Sequence, residues 1–183
     1  EVLLSALGQF GLLENLAAYF FTDVFPLFLR ITQKKIEKNF PAGLPCVYKK
    51  IDFNESLLTQ GLTADSMDMV YGVNCLHVAR DLPQTLRHIY QVLKKGGSLV
   101  ISEFMRADPN DLLFPEIIFN LLDAYRDVPL DKDLRPCPGF LDEDSWVKNF
   151  RNAGFTNIHV LTNLAGNSQP HWKKFAGVIK GDK

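Results

Sequence analysis

Residues 67–103 read MDMVYGVNCLHVARDLPQTLRHIYQVLKKGGSLVISE, which is two β-rich runs on either side of an amphipathic segment. The first run, residues 67–73, predicts a strand, and the second, residues 98–104, is nearly all apolar, as a strand covered on both faces should be. The segment between them begins at Asp81-Leu82-Pro83 and repeats apolar residues at helical spacing, and Gly96-Gly97 predicts its end. A strand, a helix and a strand in this order predict a βαβ unit with parallel strands.

The same alternation covers the chain from residue 19 onward. It predicts further strands over residues 19–24 and 46–53, helices over residues 26–40, 112–125 and 142–153, and a proline-rich loop over residues 127–139. Two late runs, residues 158–162 and 175–180, are expected to pair as an antiparallel unit at the sheet edge. The fold class is therefore α/β, with a mostly parallel sheet, an antiparallel last strand and helices on both faces.

Composition excludes several classes of function. The 183 residues fit a single domain over residues 1–183, and the 20 Lys and Arg against 21 Asp and Glu argue against a nucleic-acid-binding surface. The apolar runs are too short to span a membrane. Three widely spaced cysteines lack the pairing of a metal site and indicate reduced thiols in a cytoplasmic protein. Because the chain starts at Glu1 without a secretory signal, we expect it to be a fragment of a larger multidomain chain.

Polar residues follow each predicted strand, at the sheet edge where open parallel sheets bind ligands. They are Asp23, Asp52, residues 74–77 and Glu103. Asp23 suits hydrogen bonding to ribose hydroxyls, and Asp52 could accept from an adenine amino group while the ring of Phe53 covers the base. For each acid, helix capping or loop solvation is the competing interpretation.

These features resemble the class I S-adenosylmethionine-dependent methyltransferases, and most closely the C-methyltransferase domains of polyketide synthases. Residues 67–103 match the fourth strand, following helix, Gly-Gly turn and fifth strand of that class. Other matching segments are the Tyr-x-(Tyr/Phe)-Thr-Asp motif at Tyr19–Asp23, the Asn-x-Leu-His motif at residues 74–77, Glu103 at a strand end, and Arg135, Pro138, Trp146, Gly154 and Phe155.

The resemblance implies a Rossmann-like methyltransferase fold, S-adenosylmethionine as cofactor and a catalytic dyad of His77 and Glu103. A carbon between two carbonyls is acidic enough to lose a proton to His77, and Glu103 would orient the ring and stabilise its charged form. The implied cofactor-binding residues are Asp23, Val24, Asp52, Phe53 and Asn74. Phe114, Ile118 and Tyr125 are expected to form part of a dry substrate pocket beneath a lid between Phe104 and Pro138.

The first strand of this fold and its glycine-rich turn are not evident, and two interpretations compete. Residues 2–6 could be that strand, with the sequence LGQFG at residues 7–11 as a degenerate turn. Alternatively, Val2, Leu3, Ala6, Leu7 and Phe10 form one face of the first helix, and the strand precedes residue 1. The short spacing between residues 7 and 19 favours the helix, although a sheet without its first strand would expose unpaired edges.

The resemblance leads to one main functional hypothesis and two alternatives. The main hypothesis is C-methylation of the α carbon of a β-ketoacyl thioester tethered to an acyl carrier protein, with neighbouring synthase domains as further partners. A non-catalytic methyltransferase-like scaffold domain of a megasynthase is the first alternative, motivated by the missing glycine-rich turn. The second is a small-molecule O-methyltransferase, which would not need His77 and Glu103 together.

Overall fold

The computed structural model describes residues 2–40, 43–108, 110, 113–162 and 176–183. The chain forms two compact units, Glu1–Asp52 and Phe53–Lys183. The predicted starting residues Leu112, of a helix, and Phe175, of a strand, lie outside the described residues.

The first unit begins with a helix rather than a strand. Helix α1 spans Val2–Gln9, so the interpretation of residues 2–6 as the first strand is wrong and the predicted helix is confirmed, while a strand before residue 1 stays a prediction. The predicted apolar face is not the buried one, because Val2 and Phe10 are 83% and 78% exposed whereas Leu4 is fully buried. Val2 is the first residue of the helix and Phe10 follows its last, which explains why neither side chain is covered.

A parallel strand pair and one long helix complete the first unit. Strand β1 spans Tyr19–Asp23, helix α2 spans Pro26–Asn39, and strand β2 spans Cys46–Lys50 and pairs in parallel with β1. Pro26 begins the helix, where its missing N–H is harmless, and Leu29 and Ile36 are buried two turns apart on one face. Strand β2 ends two residues before Asp52, so the predicted range of 46–53 was too long.

The second unit contains a four-stranded mixed sheet. Its strands are β3 (Met67–Val73), β4 (Leu93–Phe104), β5 (Thr156–Thr162) and β6 (Ala176–Asp182), in the order β3-β4-β6-β5. Strands β3 and β4 are parallel, and β6 runs antiparallel to both of its neighbours. The antiparallel last strand is therefore confirmed, but it lies inside the sheet, and β5 alone of the late pair is at the edge.

Helix α3 spans Leu82–Val92 and ends three residues before the predicted position. Strand β4 already starts at Leu93, and its pairing with β3 shifts register so that four residues of β4, residues 94–97, lie opposite the single residue Asp68. A Cβ atom at Gly97 would lie 2.9 Å from the Lys94 carbonyl and 3.0 Å from that of Met67. This glycine therefore allows two backbones to approach within the bulge, rather than ending a helix.

The remaining helices differ in how well they match the prediction. Helix α6 spans Glu143–Ala153, capped by Asp142 and ended by Gly154 in the left-handed conformation, as predicted. The helix predicted over residues 112–125 is wrong as a single element, because the structure has two short helices, α4 (Glu116–Phe119) and α5 (Asp123–Arg126). Extended backbone at Leu122 separates them.

Helices α3 and α6 pack against each other and contact strands β4 and β5 respectively. Along β4, buried residues alternate with half-buried ones, and Leu99, Ile101 and Glu103 are on the buried side. Glu103 is thus carried into the protein interior by the same alternation that buries its apolar neighbours.

Candidate active site

His77 is placed by a tight turn at the end of β3. Asn74 adopts a left-handed conformation with φ of 47°, and its N–H donates to the carbonyl of Ser102 on β4 at 2.7 Å. A short 3-10 turn over Leu76–Val78 follows and carries His77, which is only 4% exposed. The turn therefore directs the imidazole into the protein beside the end of β4.

Glu103 meets His77 from the neighbouring strand. Its Oε2 lies 2.9 Å from Nδ1 of His77, and its Oε1 accepts the backbone N–H groups of Cys75 and Leu76 at 2.9 and 2.7 Å. Both side chains are buried. The predicted meeting of the two groups at adjacent strand ends is therefore confirmed, while their role in catalysis stays a prediction.

The hydrogen bonds of Glu103 define which ring nitrogen of His77 carries a proton. An ionised carboxylate only accepts hydrogen bonds, so Nδ1 is the donor to Oε2. In the neutral imidazole, the other nitrogen, Nε2, then has a free lone pair. Among the described residues, no hydrogen bond reaches Nε2 of His77, so this atom is available to accept a proton from another molecule.

Aromatic side chains and a buried arginine surround His77. The ring of Phe140 lies 4.1 Å from the imidazole between centroids, and that of Tyr125 lies 6.2 Å away. The guanidinium of Arg135 donates to the carbonyl of His77 at 2.9 Å and to that of Ala79. These hydrogen bonds hold the backbone of the 3-10 turn that carries His77. Burial lowers the pKa of Arg135 from its ordinary value.

A second buried carboxylate, Glu116, is hydrogen-bonded to Tyr125, one of these aromatic side chains. It is fully buried and accepts from Nη2 of Arg106 at 2.6 Å and from the hydroxyl of Tyr125 at 2.7 Å. Burial, followed by the hydrogen bond to Glu116 and its charge, raises the pKa of Tyr125 well above its ordinary value. The Tyr125 hydroxyl is therefore a neutral donor at physiological pH.

The sequence interpretation missed Arg106 and Glu116 altogether, and it gave Arg135 no role. Two signals pointed to the missed pair. Arg106 lies two residues after the end of a predicted strand, at the sheet edge where ligands bind, and Glu116 is a charged residue within the apolar sequence FPEIIF at residues 114–119. A lone charge in an apolar stretch usually needs a buried partner.

The predicted pocket residues divide into two groups. Tyr125 is buried and its ring lies 6.2 Å from that of His77 between centroids, and its place in a substrate pocket stays a prediction. Phe114 and Ile118 are 81% and 65% exposed, and their place in a substrate pocket stays a prediction.

The predicted cofactor residues lie at or just after strand ends in both units. Asp23, Val24 and Asp52 belong to the first unit, and Phe53 and Asn74 belong to the second. Oδ1 of Asp23 accepts the N–H of Phe25 at 2.8 Å, and no other hydrogen bond to this side chain is found within the described ranges. A strand-end carboxylate with a second oxygen available fits the hydroxyl groups of a ribose.

Three further features bear on the class of protein: metal-binding groups, cysteines and membrane-spanning helices. Over the described part of the chain, no group of three or more His, Cys, Asp or Glu side chains is arranged to hold a metal ion. Cys46, Cys75 and Cys137 are not joined in disulfide bonds. Among the residues described, no helix has the length and apolar character that a membrane span requires.

Comparison with known proteins defines the family. Residues 18–160 match the model of a methyltransferase domain, so the chain belongs to that family. The polyketide synthase ThaG of Burkholderia thailandensis is 33% identical over 144 residues, which are 76% of this chain and 2% of that synthase. The resemblance to polyketide synthase methyltransferase domains is therefore confirmed, and S-adenosylmethionine is the cofactor of this class.

Solved structures agree with this assignment. The carbon methyltransferase of CurJ has a TM-score of 0.73 and 27% identity, and the similarity covers 94% of this chain and 44% of that one. The trans-methyltransferase CalH, solved in complex with SAH, has a TM-score of 0.73 at 21% identity and shares the fold, over 91% of this chain and 42% of CalH. The chain thus spans less than half of either structure.

Proposed function

We propose that this domain methylates the α carbon of a β-ketoacyl thioester bound to an acyl carrier protein, within a polyketide synthase. The observation that carries the proposal is the buried pair of Nδ1 of His77 and Oε2 of Glu103, 2.9 Å apart. Transfer of a methyl group to carbon requires prior removal of a proton from that carbon, and a neutral imidazole held by a carboxylate is suited to this step.

His77 acts as the general base through Nε2. As Nε2 takes the proton from the α carbon, the electron pair of the broken C–H bond moves into the enolate, and the imidazole becomes positively charged. Glu103 stabilises this charge across the Nδ1 hydrogen bond and keeps the ring in one orientation. The two backbone N–H groups on Oε1 hold the carboxylate in place while it does so.

S-adenosylmethionine, when bound, supplies an electrophilic methyl group on a sulfonium. Asp23 and Val24 after β1, Asp52 and Phe53 after β2, and Asn74 after β3 are the residues assigned to hold it. Asp23 has an oxygen available for ribose hydroxyls, and Asp52 and Phe53 offer an acceptor and a ring for the adenine.

The lid between Phe104 and Pro138 is assigned to the substrate. Tyr125, Phe114 and Ile118 provide its apolar surface, and the carrier's arm enters over this segment. A water-poor site favours a reaction in which opposite charges disappear as the new bond forms. The three cysteines, which form no disulfide bonds, support a location in the cytoplasm. We assign residues 1–183 to one methyltransferase domain of a larger multidomain chain.

The test uses the full-length protein, a β-ketoacyl carrier protein and S-adenosylmethionine, with the mass of the carrier-bound product as readout. We expect one hydrogen to be replaced by one methyl group, and the rate to fall by about 10²- to 10⁴-fold in His77→Ala and in Glu103→Gln. The matched control is His159→Ala, which removes an exposed histidine on β5 and should leave the rate unchanged.

Full activity in His77→Ala would overturn the proposal. Methylation of free phenols or acids, but not of the carrier-bound ketone, would favour the O-methyltransferase alternative. Absence of S-adenosylmethionine binding by calorimetry in the full-length protein would favour the scaffold alternative.

A further inference from the structure

We propose that Glu116 is a positioning residue, whose buried carboxylate holds Tyr125 and Phe140 against the His77 ring. The effect of Glu116 on methylation rests on the proposed function, whereas its effect on the position of the His77 ring does not.

Four donors from four separate parts of the second unit converge on Glu116. They are Nη2 of Arg106 at 2.6 Å, the hydroxyl of Tyr125 at 2.7 Å, the N–H of Phe140 at 3.3 Å and, on the other oxygen, the N–H of Leu113 at 3.0 Å. Three of these donors share Oε1 and the fourth binds Oε2, so both oxygens of the carboxylate are engaged. The end of β4, the start of α4, helix α5 and the loop before α6 are thereby joined at one side chain.

The charge of Glu116 is balanced by Arg106, which binds the same loop independently. Nε of Arg106 donates to the carbonyl of Phe140 at 2.7 Å, and Nη2 also donates to the carbonyl of Pro138 at 3.2 Å. Phe140 is therefore held at its N–H by Glu116 and at its carbonyl by Arg106. Its backbone position follows directly from the ion pair.

Both residues held in this way face the imidazole. The Phe140 and Tyr125 rings lie 4.1 and 6.2 Å from that of His77, and Tyr125 is tethered to Glu116 through its hydroxyl. Gly139 makes this packing possible, because its φ of 71° suits glycine and a Cβ atom there would collide with the Tyr125 hydroxyl. The aromatic surface next to His77 is thus fixed by the Arg106–Glu116 pair.

Stability alone does not account for such an arrangement. A buried ion pair contributes little net stability compared with packed hydrocarbon, but loss of one partner is strongly unfavourable. The pair instead fixes positions, because the Tyr125 hydroxyl and the Phe140 N–H both bind the Glu116 carboxylate. The rings of these two residues lie next to the same imidazole. We infer that the pair limits rotation of the His77 ring about its Glu103 hydrogen bond and keeps water from its face.

The first experiment measures deuterium exchange at the His77 ring carbon by mass spectrometry, at one pH and in the full-length protein. We expect exchange to be about tenfold faster in Glu116→Gln and about threefold faster in Tyr125→Phe, because each releases a ring from the imidazole. The matched control, Asp123→Asn, removes an exposed carboxylate paired with Arg126 on α5 and should leave the rate unchanged.

A second measurement separates positioning from simple stabilisation. In the same variants, kcat should fall while the Kd for S-adenosylmethionine stays constant. If Glu116 only stabilised the fold, the melting temperature would drop, but exchange at His77 and kcat of the folded fraction would match the native protein, and the inference would be overturned.

The two proposals can fail separately. A native protein without methylation activity, in which Glu116→Gln still accelerates exchange at His77, would contradict the proposed function and support the positioning role. A native protein that methylates the carrier-bound substrate, with unchanged exchange at His77 in both variants, would support the proposed function and contradict the positioning role. If Glu116→Gln does not fold, Tyr125→Phe decides the question alone, because it removes one hydroxyl and keeps the ring.

Discussion

Two glycines with similar backbone angles differ sharply in their surroundings, which gives a test at the scale of single residues. Gly139 has φ of 71° and would collide with Tyr125 if it carried a Cβ atom, whereas Gly96 has φ of 80° and open space around that position. We expect Gly96→Ala to lower the free energy of unfolding by about 1 kcal/mol, from backbone strain alone. Gly139→Ala should lower it by about 2–4 kcal/mol, since steric overlap is added.

Urea unfolding of both variants measures the difference. Equal losses would mean that Tyr125 moves aside without penalty, which is incompatible with a fixed hydrogen bond between its hydroxyl and Glu116. If Gly96→Ala lowered the free energy of unfolding by much more than the expected value, the open space around that glycine would be contradicted.

The meeting of His77 and Glu103 was predicted because both match motifs of the related methyltransferase domains. Both also lie at or just after strand ends, which meet at one edge of a sheet. Arg135 binds main-chain carbonyls 56 and 58 positions away, and carbonyls are the same in every residue, so no side-chain pattern could reveal that contact. Glu116 and Arg106 are only ten positions apart, but both bind the backbone of Phe140, which lies 24 positions beyond Glu116.

At the scale of elements, two helices begin with the same capping interaction. The side chain of Asp142 accepts the N–H of Ser145 at 2.7 Å before α6, and that of Asp81 accepts the N–H of Gln84 at 2.9 Å before α3. We expect Asp142→Ala and Asp81→Ala each to lower the free energy of unfolding by about 1 kcal/mol. Thermal or urea unfolding measures both.

Asparagine variants are the matched controls for the two caps. Because asparagine offers the same acceptor without the charge, Asp142→Asn and Asp81→Asn should stay within a few tenths of a kcal/mol of the native protein. If the asparagine and alanine variants lose equal stability, the carboxylate acts through its charge near the helix start and not through the hydrogen bond.

Elements were predictable where local signals determine them. Strand β3 and helix α6 have the predicted limits, because alternation, an aspartate cap and a terminal glycine are all properties of neighbouring residues. The end of α3 was not predictable from neighbouring residues. Gly97 lies in the β3–β4 bulge, and that bulge depends on pairing with a strand about 30 positions earlier in the chain. The break between α4 and α5 was not predictable either, since Glu116 and Tyr125 on either side of it are hydrogen-bonded to each other by a contact that helical periodicity does not show.

At the scale of the whole molecule, the class of fold was predictable but the strand order was not. Alternating strand and helix patterns specify an α/β chain, and family membership agrees with it. The insertion of β6 between β4 and β5 depends on pairing between residues more than 70 positions apart, such as Ser98 and Asp182. The periodicity of a strand's own sequence does not indicate which other strand it will pair with.

The pH dependence of stability is a property of the whole molecule, and Tyr125 gives it a defined sign. Burial and the neighbouring Glu116 raise the pKa of this tyrosine above the ordinary value of 10.0, so the folded protein favours the neutral phenol. Its contribution to stability is therefore complete below the pKa of the unfolded chain and is lost as the pH rises above it. The loss approaches about 1.4 kcal/mol per pH unit for one proton.

We expect the free energy of unfolding to fall more steeply between about pH 9 and pH 11 in the native protein than in Tyr125→Phe. Burial also raises the pKa of Tyr48 to about 12 and that of the Cys137 thiol, and these groups contribute a slope of the same sign to both proteins. The difference between the two slopes therefore isolates Tyr125. Urea unfolding at several pH values measures it, and identical slopes would mean that the Tyr125 hydroxyl ionises as easily in the folded protein as in the unfolded chain, which a buried hydrogen bond to Glu116 does not allow.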